Sequence, residues 1–88
     1  MEERKVTILN KTGIHARPAS LFVKTASGFK SDITIHKGES KASAKSLINI
    51  LAFGLSKDVE LTIKATGEDE KEAVQALADL INSKFGEE

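Results

Sequence analysis

Val59-Glu60-Leu61-Thr62-Ile63-Lys64-Ala65 alternates residue by residue between apolar and polar. Successive side chains of a strand point to opposite faces. Val59, Leu61, Ile63 and Ala65 therefore share an apolar face, and Glu60, Thr62 and Lys64 a wet one. Lys5–Leu9 repeats the pattern through Val6 and Ile8, and Asp32–Lys37 through Ile33 and Ile35. One-sided strands of this kind suit an antiparallel sheet with one face in water and helices stacked on the other.

Working outward, Lys37-Gly38-Glu39 turns the chain back into a short strand around Ser40–Ser43. Between the first two strands, Asn10-Lys11-Thr12-Gly13 is turn chemistry and the period then changes. From Ala16 onward, Ala19, Phe22, Val23 and Ala26 fall on one helical stripe, and Ala16, Ser20 and Lys24 on another. Pro18 suits a first helical turn, where its missing N–H is not needed, and Gly28 is placed to end the helix. Leu47–Phe53 reads as a short helix with Ser46 as N-cap and Gly54 as its stop. Gly67 ends the last strand. Asp69 with Glu72 then forms a capping-box-like pair opening a helix whose apolar stripe is Val74, Leu77, Leu80, Ile81 and Phe85, with Gly86 past its end. The order is β-α-β-β-α-β-α, a two-layer α+β domain over residues 1–88.

Eighty-eight residues leave room for one small domain. The absence of cysteine excludes disulfides, thiolate metal sites and cysteine nucleophiles. Thirteen basic residues balance thirteen acidic ones, so net charge gives no argument for nucleic acid or membrane. The balance is nevertheless uneven: residues 1–58 hold ten Lys/Arg and five Asp/Glu, residues 59–88 three and eight. A surface polarised in this way can orient an encounter with an acidic partner, with Arg17, Lys24 and Lys45 on its basic side. No apolar signal-peptide core follows Met1-Glu2-Glu3-Arg4-Lys5. The longest apolar stretch, Leu47–Leu55, is interrupted by Asn49 and Gly54 and is far short of the ~20 residues that span a bilayer. A cytoplasmic monomer with no cofactor is the expectation.

Few side chains can carry chemistry. His36 alternates with Ile33 and Ile35 and reads as a surface histidine on the wet face of its strand. His15 stands instead between a glycine turn and a helix start, in Gly13-Ile14-His15-Ala16-Arg17-Pro18-Ala19. The first amides of a helix, here Ala16 and Arg17, lack intrahelical partners and with the dipole make an anion site. Arg17 adds a planar guanidinium able to hold a phosphoryl group through two hydrogen bonds. No neighbouring carboxylate serves as a general base, and no second histidine beside His15 completes a metal set. From residue types alone, a histidine that only helps to cap the helix stands equal to a phosphoryl acceptor.

The run Gly13–Ala19 resembles the active-site signature of HPr, the histidine phosphocarrier family of the phosphoenolpyruvate:sugar phosphotransferase system. The resemblance extends over essentially the whole chain, through Phe22-Val23, Lys45-Ser46-Leu47-Ile48 and Gly67-Glu68-Asp69-Glu70, with the Gram-positive branch in view at Ser46. It implies an open-faced β-sandwich, sheet order 1-4-2-3, covered on one face by three helices. It also implies that His15, through Nδ1, accepts a phosphoryl group from phosphorylated enzyme I and passes it to sugar-specific enzyme IIA domains. Arg17 would stabilise that group, and Thr12, Ala16 and Pro18 would line the site. Ser46 matches a serine that a dedicated ATP-dependent HPr kinase/phosphorylase modifies. A catabolite-control transcription factor is the further partner implied.

The short helix from Leu47 leaves only Asn49 polar. Either it is buried more fully than usual, or Ile48 and Leu51 stay exposed as a docking patch. The resemblance favours the patch, with Leu47 in it and Ser20 and Lys24 beside it. Ile48 and Leu51 stand where the family commonly has methionine; Asn49 and Asp58 replace frequent glycines, which bears on partner preference. Two readings from other classes compete. One is an HPr-like regulatory module acting on a transcription factor through phosphorylated Ser46, which would have no use for an intact His15-Arg17 pair. The other is a ferredoxin-like RNA-binding domain. Only four aromatics, all Phe, and no aromatic-rich strand count against it.

Overall fold

Four strands pair in the order β1-β4-β2-β3, all antiparallel. The computed structural model describes residues 1–86. Its elements are β1 (Glu2–Thr7), α1 (Ala16–Ser27), β2 (Asp32–Lys37), β3 (Ser40–Ser43), α2 (Leu47–Ala52), β4 (Glu60–Thr66) and α3 (Glu70–Asn82), followed by a 3-10 turn at Lys84–Gly86. β4 is an interior strand whose apolar face is covered: Leu61, Ile63 and Ala65 are all buried. Its register sets Leu61 beside Val6 on one flank and Ile63 beside Ile35 on the other. The apolar positions of three strands thus fall on one side, where the helices lie. The opposite side keeps Thr62, Lys64, Thr34 and His36 at the surface or half-buried.

α1 buries Pro18, Ala19, Phe22 and Ala26, and α3 buries Ala73, Val74, Leu77, Ala78 and Ile81. Both stripes follow the helical period of the sequence. Phe22, almost wholly buried, is the largest anchor of α1; trimming such a ring to alanine typically costs about 3–5 kcal/mol. α2 packs against α1 and buries only Ile50.

The structure departs from the sequence expectations at several ends. β1 covers Glu2–Thr7 rather than Lys5–Leu9, because β4 is long enough to pair with it as far back as Glu2 opposite Ala65. Ile8 still reaches the core, its amide bonded to the Val59 carbonyl, while Leu9 is exposed. Likewise β4 begins at Glu60 and runs to Thr66, and α2 ends at Ala52 with Phe53 as its C-cap. Gly28 ends α1 with an ordinary φ of −76°, so no left-handed turn is needed there.

The capping pair before α3 is different from the one expected. Asp69 is the N-cap residue but makes no capping bond. Its carboxylate instead accepts the Lys30 amide at 2.8 Å and the Ser31 amide at 3.0 Å, together with the Ser31 hydroxyl. The Ser31 hydroxyl first, and the Lys30 amide next, hold this carboxyl below its ordinary value. Glu70, not Glu72, reaches back, its Oε1 accepting the Gly67 amide at 3.0 Å. Phe85 does not extend the α3 stripe as a helical residue. The helix stops at Asn82, and Lys84 and Phe85 take φ values of 59° and 58° that swing the buried ring under the sheet-facing core.

Candidate functional site

His15 is the N-cap of α1. It is extended, at φ −110° and ψ −163°, and its imidazole makes no capping bond. Its carbonyl accepts the Ala19 amide at 2.8 Å, the first intrahelical bond. Ala16 and Arg17 present their amides ahead of that bond, and Pro18 has none. His15, Ala16 and Arg17 are all exposed. The helix is thus started by the His15 main chain.

The loop that delivers His15 is held from both sides. Asn10 closes the turn twice: its carbonyl accepts the Gly13 amide at 3.0 Å, and its Nδ2 donates to the Gly13 carbonyl at 2.6 Å. Asn10 is buried, at 3% exposure. Across the loop, the Ile14 amide donates to the Leu55 carbonyl at 2.7 Å. Gly13 has φ +68°, and a Cβ there would lie 2.6 Å from the Leu55 carbonyl oxygen. Turn composition pointed to the Asn10–Gly13 turn. No residue-type signal could have named Leu55, since it acts through its backbone.

Thr12 is exposed in the same loop. Pro18 is fully buried. Ser20 and Lys24 are exposed on the outer face of α1. Beside them on α2, Ile48 is 79% exposed, Leu51 44% and Leu47 39%, while Ile50 is buried. The short helix is therefore open on one side. Ser46 is half-buried at its N-cap and accepts the Asn49 amide at 3.4 Å. It sits at the end of α2 opposite Leu55.

Two lysines differ from a simple basic face. Lys45 is half-buried and donates through Nζ to the Phe29 carbonyl at 2.7 Å, which ties it to the end of α1 rather than leaving it to a partner. Lys37, which composition did not single out, donates to the Phe53 carbonyl at 2.6 Å and lies over the Phe53 ring. It completes the C-terminal end of α2 with a positive charge. On the wet sheet face, His36 is half-buried rather than fully exposed, with Nε2 2.9 Å from the Thr34 hydroxyl. Desolvation first, then Lys64 and Lys41, hold its pKa below the ordinary value against an opposing effect of Glu3. Among the described residues, no group of three or more His, Cys, Asp or Glu is gathered to hold a metal ion, and no helix is long and apolar enough to cross a membrane.

Comparison with known proteins agrees with this arrangement. The family model described as the PTS HPr component phosphorylation site matches residues 2–83. The phosphocarrier protein HPr of Neisseria meningitidis serogroup A is 39% identical over 87 residues, covering 99% of this chain and 98% of its own. Among solved structures, HPr-C-His from Thermoanaerobacter tengcongensis superposes with a TM-score of 0.97 at 52% identity, covering 100% of this chain and 99% of that one. An HPr dimer from the same organism gives a TM-score of 0.77 at 52% identity, covering 99% of this chain and 100% of that one. With the sheet order, the helical layer and the His15 junction all in place, the chain belongs to the HPr family, the phosphocarriers of the phosphotransferase system.

Proposed function

We propose that this chain takes a phosphoryl group on His15 from phosphorylated enzyme I and delivers it to sugar-specific enzyme IIA domains. The observation that carries the reading is the exposed His15 at the N-terminus of α1, with Arg17 in the same first turn. A ring nitrogen attacks phosphorus and forms the new N–P bond. The bond from phosphorus to the donor breaks, and the donor leaves with the electron pair. The developing charge on the phosphoryl oxygens faces the first amides of α1 and the Arg17 guanidinium. Thr12 and Ala16 flank it. The phosphoryl group is then held at an open surface where a second partner can take it by the reverse of the same step. The protein is consumed and regenerated in each cycle, as a stoichiometric carrier in the cytoplasm.

The exposed Leu47, Ile48 and Leu51, bordered by Ser20 and Lys24, supply an apolar contact with a basic edge for both partners. Ser46 is a regulatory site for an HPr kinase/phosphorylase. A phosphate there adds about −1.5 to −2 charges at a helix N-terminus, where the helix tolerates an anion. Its effect falls on docking, and on recruitment of a catabolite-control transcription factor. The working form is a monomer, which light scattering on the purified protein checks.

Incubation with enzyme I and phosphoenolpyruvate tests the carrier role. An acid-labile phosphoryl adduct forms on the wild type and is absent from His15→Ala; a wild type that takes no phosphoryl group refutes it. With HPr kinase and ATP, an acid-stable phosphoserine is expected that Ser46→Ala abolishes. Label elsewhere in the chain refutes that assignment.

A further inference from the structure

The Gly13 carbonyl and the Ile14 N–H belong to one peptide group, and it is gripped at both ends. Asn10 Nδ2 donates to its oxygen at 2.6 Å, and its N–H donates to the Leu55 carbonyl at 2.7 Å. A peptide plane turns about its Cα–Cα axis, and two opposed hydrogen bonds stop that rotation. Ile14, which carries the plane forward, is itself buried. The next residue is His15, whose extended backbone sets where its ring stands before the α1 amides. Gly13 cannot lock the turn, having the widest backbone freedom of any residue. The lock has to come from outside it.

We propose that Asn10 is a positioning residue for phosphoryl transfer. Its buried carboxamide fixes the Gly13–Ile14 peptide and so holds the His15 ring in line with the helix N-terminus. The inference rests on His15 being the phosphoryl acceptor. Asn10 acts through the orientation of one peptide plane. Only a side chain that donates at this reach serves. A carboxylate in its place would set oxygen against the Gly13 oxygen, and an aliphatic chain of similar volume would fill the space with no donor.

The test uses Asn10→Leu, which keeps the packing, and Asn10→Asp, which keeps the shape. Both are assayed for transfer from phosphorylated enzyme I and by NMR of the His15 ring and the Ile14 amide. The expected result is a fall in kcat of about tenfold to a hundredfold with KM for the donor unchanged. The His15 ring resonances should shift and the Ile14 amide should exchange faster. Wild-type kcat and unmoved His15 resonances in a folded variant overturn the proposal, as does a loss confined to KM. Should Asn10→Leu not fold, Asn10→Asp carries the same comparison. If the wild type accepts no phosphoryl group, the carrier reading fails. The NMR arm still reports whether Asn10 orients His15.

Discussion

The Ile14 amide is bonded to the Leu55 carbonyl at 2.7 Å, so the segment that presents His15 is joined by its main chain to the segment leaving α2. α2 also carries the exposed apolar side chains. The proposed phosphoryl site and the proposed docking surface are therefore linked through the backbone.

Gly13 is where this junction is tightest. A methyl group there meets the Leu55 carbonyl oxygen at 2.6 Å and Ser56 Cα at 2.8 Å, on a backbone already at φ +68°. Gly13→Ala is expected to destabilise the fold by about 1–3 kcal/mol. Phosphoryl transfer should fall more steeply than stability accounts for, because the shift is delivered to His15. Denaturant unfolding beside a transfer assay at a temperature where the variant is fully folded separates the two.

Ile48 makes the opposite prediction. At 79% exposure it contributes little to the core, so Ile48→Glu should change stability by less than about 0.5 kcal/mol. An acid on the apolar patch should nevertheless raise KM for acidic partners with kcat nearly unchanged. Unchanged KM for every partner would remove this helix from the docking surface.

Acid stability should centre on Asp69. Its folded carboxyl is held below the ordinary range, first by the Ser31 hydroxyl and then by the Lys30 amide. The unfolded chain therefore binds the proton more readily. The stabilisation is complete above the unfolded value and disappears as pH falls through the folded one. Asp69→Asn should begin with a lower Tm at pH 7 and lose less of it on acidification below about pH 4. Glu70, lowered by the Gly67 amide and the chain N-terminus, keeps part of the acid slope. His36 loses its contribution nearer neutrality, as pH falls below its ordinary value. Parallel Tm–pH curves for wild type and variant would show that Asp69 contributes nothing to the acid limb.

Asp58 occupies a left-handed turn at φ 73°, where its amide bonds to the Ile8 carbonyl at 2.8 Å. The turn is one that a glycine takes without strain. Relief of the left-handed strain outweighs the added freedom of the unfolded chain. Asp58→Gly is expected to raise stability by up to about 1 kcal/mol, read from the midpoint of urea unfolding.

Periodicity carried the architecture. The alternations around Leu61 and Ile33 and the stripe of Ala19, Phe22 and Ala26 determine which faces are buried, because burial of apolar surface is a property of residue type and spacing. Local chemistry likewise placed His15 and Arg17 at a helix start, since turn and first-turn preferences act over a few residues. What only the tertiary structure decided depends on groups far apart in the chain. Asp69 abandons its cap because the Lys30 and Ser31 amides arrive beside it. Lys45 and Lys37 turn to carbonyls of other elements. Pro18 goes inward, and the Leu55 carbonyl fixes the peptide ahead of His15. Backbone groups are the same in every residue. Which of them meets a given side chain is settled by packing alone.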